Sequence, residues 1–166
     1  MNIILIGMRG SGKSTIGKIL SKKMNKPFYD LDDLLAQKTK MSIPELIEKY
    51  DWDYFRDRES EIVEEISQKT NAVISPGGGA IIREENIKAL KRDAKFVLLK
   101  TPIAELIKRI GKGKNRPTLT KGKSFIDEME DVWNERRTVY EQTADMIIET
   151  NNKTAKEVAQ EIIKHL

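Results

Sequence analysis

The chain opens on "NIILIGMRGSGKSTIGKIL", residues 2–20, where a short apolar run passes through a glycine-rich turn straight into a helical pattern. Gly7 to Ser14 matches G-x-x-x-x-G-K-[ST] in full, directly after an expected strand and directly before an expected helix. Few structures satisfy that juxtaposition. Glycines let successive backbone N–H groups turn inward around an anion, and the following helix presents the positive end of its dipole to the same charge. The loop from Gly7 to Ser14 is therefore read as a cradle for the phosphates of a nucleoside triphosphate. Lys13 would reach the β- and γ-phosphates and the Ser14 hydroxyl would ligate Mg²⁺. The motif leaves the acceptor of the γ-phosphate open among water, a protein, a nucleotide and a small molecule.

The rest of the chain repeats the strand-then-helix rhythm. Short runs at Asn2 to Ile6, Phe28 to Asp30, Ala72 to Ser75, Lys95 to Lys100 and Asp145 to Glu149 are nearly continuous in apolar content, as expected of strands covered on both faces. Helical patterns separate them, which predicts an α/β domain of three layers around a parallel sheet. Ser42-Ile-Pro-Glu45 and Thr154-Ala-Lys-Glu157 read as capping boxes. At 166 residues without a linker, one domain is expected over 1–166.

Composition excludes several classes. There is no cysteine, hence no disulfide, thiolate metal site or cysteine nucleophile, which fits a reducing cytoplasm. No stretch approaches the roughly 18 apolar residues of a spanning helix, so no membrane association is expected. Thirty basic against 26 acidic residues leave a net charge of +4, a mild lean toward anionic partners. Sparse aromatics and the lack of a recognisable module argue against nucleic acid.

Further residues carry chemistry. In "FYDLDD" a period of two places Asp30 and Asp32 on one side at a strand's carboxyl end, suited to holding Mg²⁺ through water or orienting an attacking hydroxyl. Asp33 is read as a helix cap. In the helix after Ser124, Ile126, Met129, Trp133, Arg136 and Tyr140 form one stripe, so Arg136 occupies a core position and needs an anionic partner. Arg56 borders an inward face of Phe55, Glu59, Ile62 and Ile66, and is either paired with Glu59 or free for a ligand. "SPGGGAII" places three glycines after a strand, where backbone must bend sharply or approach something closely. Residues 111–124 carry Lys112, Lys114, Arg116, Lys121 and Lys123 with no acid, and are expected to form a mobile lid that closes on phosphates. His165, the single histidine, is read as a helix-end residue.

Together these motifs resemble the shikimate kinase family over nearly the whole chain: "GMRGSGKST", the D-x-D of "FYDLDD", "SIPELIEKY" followed by "YFRDRE", "PGGGAII", "NRPTL" and "ERRTVYEQTAD". The resemblance implies a P-loop kinase fold with sheet order 2-3-1-4-5, and transfer of the ATP γ-phosphate to the 3-hydroxyl of shikimate by a monomer. It implies that Gly10, Ser11, Gly12, Lys13, Ser14 and Thr15 wrap the ATP phosphates and that Ser14, and Asp30 through water, hold Mg²⁺. Asp32 would bind and orient the acceptor hydroxyl, Arg56 and Arg136 its carboxylate, and Gly78 its floor. Lys13 and Arg116 would act on the transferring phosphates, Arg116 from the lid, and Lys153 would flank the nucleotide base. The chain departs from the pattern at Ala36, where the family usually has glutamate, at Asp51-Trp52 in place of Gly-Glu, and at Arg-Pro-Thr-Leu in place of Arg-Pro-Leu. A gluconate-kinase-like enzyme and a nucleotide-binding regulator are the rival readings.

Overall fold

A computed structural model describes residues 1–111 and 124–166. These form a parallel sheet of β1 (Asn2–Ile6), β2 (Phe28–Asp30), β3 (Val73–Ser75), β4 (Ala94–Lys100) and β5 (Met146–Glu149), in the order β2-β3-β1-β4-β5. Around it lie α1 (Lys13–Met24), α2 (Leu31–Thr39), α3 (Ile43–Lys49), α4 (Trp52–Ser67), α5 (Glu84–Leu90), α6 (Ile103–Ile110), α7 (Phe125–Thr143) and α8 (Ala155–His165). The expected strands are all present, within a residue of their predicted bounds, and the sheet order is the one the resemblance implied.

Strand β1 occupies the centre because it can bury both faces. Ile4 and Ile6 point into one core with Ile74, Phe96 and Leu98 under α4 and α7, while Ile3 and Leu5 point into another with Val73, Val97 and Leu99 under α1 and α8. The alternation follows from the two-residue period of extended chain, and continuous apolar sequence is what two covered faces require. From β1 the chain crosses toward β2 on one side, and from β4 toward β5 on the other. A crevice opens beyond the carboxyl ends of the strands where these directions diverge.

Local signals hold where they depend on neighbours in sequence. Ser42 and Thr154 both form the complete capping box, with Glu45 and Glu157 reaching back. His165 lies in the last turn of α8, its ring against the carbonyl of Glu161. Two expectations are corrected. Strand β2 stops at Asp30, which itself caps α2 by accepting from the Asp32 N–H at 3.1 Å, so the cap is Asp30 and not Asp33, and Asp32 sits in a helix rather than an extended chain. Ile126 is half exposed, because the inward stripe of α7 starts a turn later at Met129 and Val132.

Helix α1 packs so closely on β2 that Gly17 has no room for a side chain: a Cβ there would fall on the Phe28 ring. Overpacking of this kind outweighs the helix propensity gained by removing a glycine. Gly17→Ala is expected to destabilise the fold by about 1–2 kcal/mol, checked by denaturant unfolding.

Candidate active site

The first glycine loop joins β1 to α1 along one wall of a cavity of about 530 Å³, which Gly10 to Thr15, Asp30, Asp32, Gly78 and Lys153 line together. Gly10 and Gly12 adopt φ of 82° and 96°, the left-handed region that favours glycine. Gly12 is also the N-cap of α1, and no side chain closes that helix end, whereas α2, α3, α4, α7 and α8 are each closed by a capping side chain. With no acid in its first turn, α1 presents free N–H groups and an unopposed positive dipole to the cavity. Lys13 Nζ arches across the loop to the carbonyls of Gly7 and Met8, at 2.9 and 3.0 Å. Ser11 is fully buried beneath it.

Ser14 Oγ donates to Asp30 Oδ2 at 2.5 Å, which brings together two hard oxygen donors at the floor of the cradle. Burial pushes the Asp30 carboxyl above its ordinary value. The Ser14 hydrogen bond opposes this, while the charges of Asp32 and Asp33 add to it. Such a pair fits Mg²⁺, which keeps several waters and takes one or two carboxylates alongside substrate phosphates. Among the described residues no group of three or more acidic or histidine side chains forms a metal cage of its own. Lys153, paired with Glu161 at 2.6 Å, lines the far side of the cavity with Thr150 and Val158.

A second, smaller cavity adjoins the first, and Arg9 and Gly78 line both. Arg56 from α4 and Arg136 from α7 converge on it beside Gly78 and Gly79. Arg56 makes the ion pair that sequence left open, with Glu59 at 2.6 Å, and still borders the cavity. One anion therefore does not exhaust its planar donors. The Nε of Arg136 is buried and finds no hydrogen-bond partner among the described residues. Two guanidinium groups facing one cavity suit a carboxylate, which their fork geometry can hold in one orientation.

None of Gly77, Gly78 and Gly79 takes a positive φ, and crowding by neighbouring side chains distinguishes Gly77 and Gly79. A Cβ on Gly77 would meet Glu59 Oε1 at 2.5 Å and Asp32 Oδ1 at 3.0 Å, and one on Gly79 would fall on the Arg56 guanidinium. A Cβ on Gly78 would make ordinary contacts, 3.4 Å from Gly7 O, 3.5 Å from the Tyr140 hydroxyl and 3.6 Å from Arg9 N, so the second loop lies beside the backbone of the first with room for about one carbon between them.

Several lining residues were not read from sequence. Asp51-Trp52, a departure from the family pattern, divides its work: Asp51 caps α4, and Trp52 walls the second cavity, edge-on to Phe55. The centre of the Arg56 guanidinium lies within cation–π reach of both rings, 5.6 Å from Trp52 and 4.9 Å from Phe55. Arg9 and Arg109 also line the first cavity, although each looks in sequence like an ordinary loop or helix-end cation. The glycine pattern offered a signal only for Arg9, which lies inside it. Arg116 and the expected lid lie outside the described residues.

An uncapped helix behind a glycine loop, facing an arginine-lined acceptor cavity, defines a P-loop kinase of the small-molecule kind. The shikimate kinase family model matches residues 9–166. A shikimate kinase of Aquifex aeolicus is 38% identical over 166 residues, covering 100% of this chain and 96% of its own. The solved shikimate kinase of Acinetobacter baumannii in complex with shikimate superposes with a TM-score of 0.94 at 34% identity, covering 99% of this chain and 91% of that one. The chain belongs to the shikimate kinase family. A gluconokinase of Sinorhizobium meliloti, with a TM-score of 0.59 at 13% identity over 98% of this chain and 89% of that one, shares the fold alone.

Gly79→Ala should displace Arg56 while leaving the first loop intact. The KM for the acceptor is expected to rise about tenfold, the scale of one charge-assisted hydrogen bond, with the ATP KM within about twofold in steady-state kinetics.

Proposed function

We propose that this site transfers the γ-phosphate of ATP to the 3-hydroxyl of shikimate, giving shikimate 3-phosphate and ADP. The observation that carries the reading is the convergence of Arg56 and Arg136 on a cavity that shares Arg9 and Gly78 with the phosphate-loop cavity. ATP alone does not require those arginines, whereas an acceptor bearing a carboxylate does.

Each residue then has work to do. The N–H groups at the start of α1 bind the β- and γ-phosphates, and Lys13 swings from the loop carbonyls to neutralise charge that spreads over the transferring group. Ser14, and Asp30 through water, would hold Mg²⁺, which would supply charge neutralisation for the phosphates. Asp32, which lines the first cavity, accepts the hydrogen bond of the acceptor hydroxyl and orients its oxygen toward the γ-phosphorus. The new O–P bond forms as the bond to the ADP oxygen breaks. Arg56 and Arg136 fix the acceptor carboxylate, the Gly78 backbone supports the ring, and Lys153 flanks the base. Arg116 closes with the lid over residues 111–124, excluding water from the transfer.

The reading takes 1–166 as one domain, a monomer working in the cytoplasm on a free metabolite, with no nucleic-acid partner. No helix of the described residues is long and apolar enough to cross a membrane.

An ADP-release assay is expected to respond to shikimate and not to gluconate, nucleoside monophosphates or polynucleotide. No stimulation by shikimate would overturn the reading, and response to another acceptor would redirect it. Asp32→Asn is expected to lower kcat about a hundredfold or more with little change in the ATP KM, and Arg136→Ala to raise the shikimate KM at least about tenfold.

A further inference from the structure

Tyr140 is the largest completely buried side chain among the described residues, and it ends in a polar group. A phenylalanine would bury the same ring without a hydroxyl to satisfy, so packing does not explain the residue. The hydroxyl donates to the carbonyl of Gly78 at 2.5 Å, joining α7 to the floor of the acceptor cavity. Arg136, one turn earlier on α7, lines the same cavity with its Nε buried and unpartnered among the described residues, and its charge reaches the hydroxyl together with those of Arg56 and Glu59.

The chemistry of this junction is restrictive. A carbonyl only accepts hydrogen bonds and a guanidinium only donates them, so a side chain that serves both must be able to donate and accept. Among the residues at this junction the phenol meets the requirement. Burial pushes its pKa above the ordinary tyrosine value against the pull of the two arginines, so its proton stays in place and stays committed to Gly78. The ring is held as well, stacked on Trp133 with centroids 6.3 Å apart.

We infer that Tyr140 is a positioning residue for phosphoryl transfer: its hydroxyl, bonded to Gly78 and within reach of the Arg136 charge, aims the arginine at the acceptor carboxylate and fixes the height of the acceptor floor. The inference rests on the shikimate kinase reading. Without the hydroxyl, the carbonyl loses its donor and can pair directly with the guanidinium, turning the arginine away from the substrate. The phosphate loop keeps its own bonds, Ser11 N–H to Met8 O and Lys13 to Gly7 and Met8, so ATP binding does not depend on the hydroxyl.

The test compares wild type, Tyr140→Phe, Arg136→Ala and the double variant. Tyr140→Phe is expected to raise the shikimate KM about tenfold, with the ATP KM within about twofold and a cooperative thermal transition. In the Arg136→Ala background the same exchange is expected to change the shikimate KM by less than about twofold, because the group through which it acts is gone. A purely structural tyrosine would give equal factors in both backgrounds. An unchanged shikimate KM, an equal rise in both KM values, a full effect without Arg136, or loss of cooperative melting would each overturn the inference. A wild type without shikimate-dependent turnover would remove the functional reading and the inference together, whereas normal wild-type turnover with an unaltered Tyr140→Phe variant removes only the inference.

Discussion

At the carboxyl ends of β1 and β3 two backbone turns lie against each other, Gly78 over Gly7 and Arg9, with no side chain between them. Everything else in the site is arranged to permit that approach. A donor held by one loop and an acceptor held by the other can meet only if the loops touch, because in-line transfer demands reacting atoms within about 3–3.5 Å. The parallel sheet makes the approach possible by setting β3 beside β1 in register, Ile3 opposite Val73 and Ile4 opposite Ile74, so that both turns emerge at the same level. A side chain at Gly77 or Gly79 would displace Glu59 or Arg56, whereas a Cβ at Gly78 would meet its neighbours at ordinary contact distance.

Charge supplies the second constraint. The uncapped N-terminus of α1, Lys13, Arg9, Arg56 and Arg136 gather around connected cavities, and such a concentration of positive charge needs anions. Glu59, almost fully buried on α4, supplies part of the balance through Arg56, Glu128, buried on α7, lines the second cavity as well, and the rings of Trp52 and Phe55 lie within cation–π reach of the Arg56 guanidinium. Phosphates and a carboxylate would complete the balance in the assembled complex. A cluster built in this way holds its geometry through packing and hydrogen bonds, so that little reorganisation is left for the reaction itself.

Much of this could be read along the chain because it rests on neighbours in sequence. The phosphate loop, the two capping boxes and the inward face of α4 arise from interactions a few residues long, and each is present. Both aspartates of the D-x-D pair line the first cavity, but their geometry was misread: nothing local shows that the chain turns helical at Leu31 with Asp30, and not Asp33, as the cap. Ile126 looked like part of a buried stripe because periodicity states which side of a helix a residue occupies, and not how far along the helix the core extends.

By itself, then, the sequence determined the elements, the triphosphate cradle and which residues could bear charge, because short-range hydrogen bonding, helix periodicity and strand alternation are set by spacing. Only the tertiary structure decided what those charges face. That Arg56 shares itself between Glu59 and a cavity, that Trp52 became a wall, and that the Tyr140 hydroxyl meets Gly78 across 62 residues are outcomes of helices from distant parts of the chain packing on one sheet. Such contacts depend on how cores fill and on which polar atoms must be satisfied once they are buried, and no local pattern encodes either.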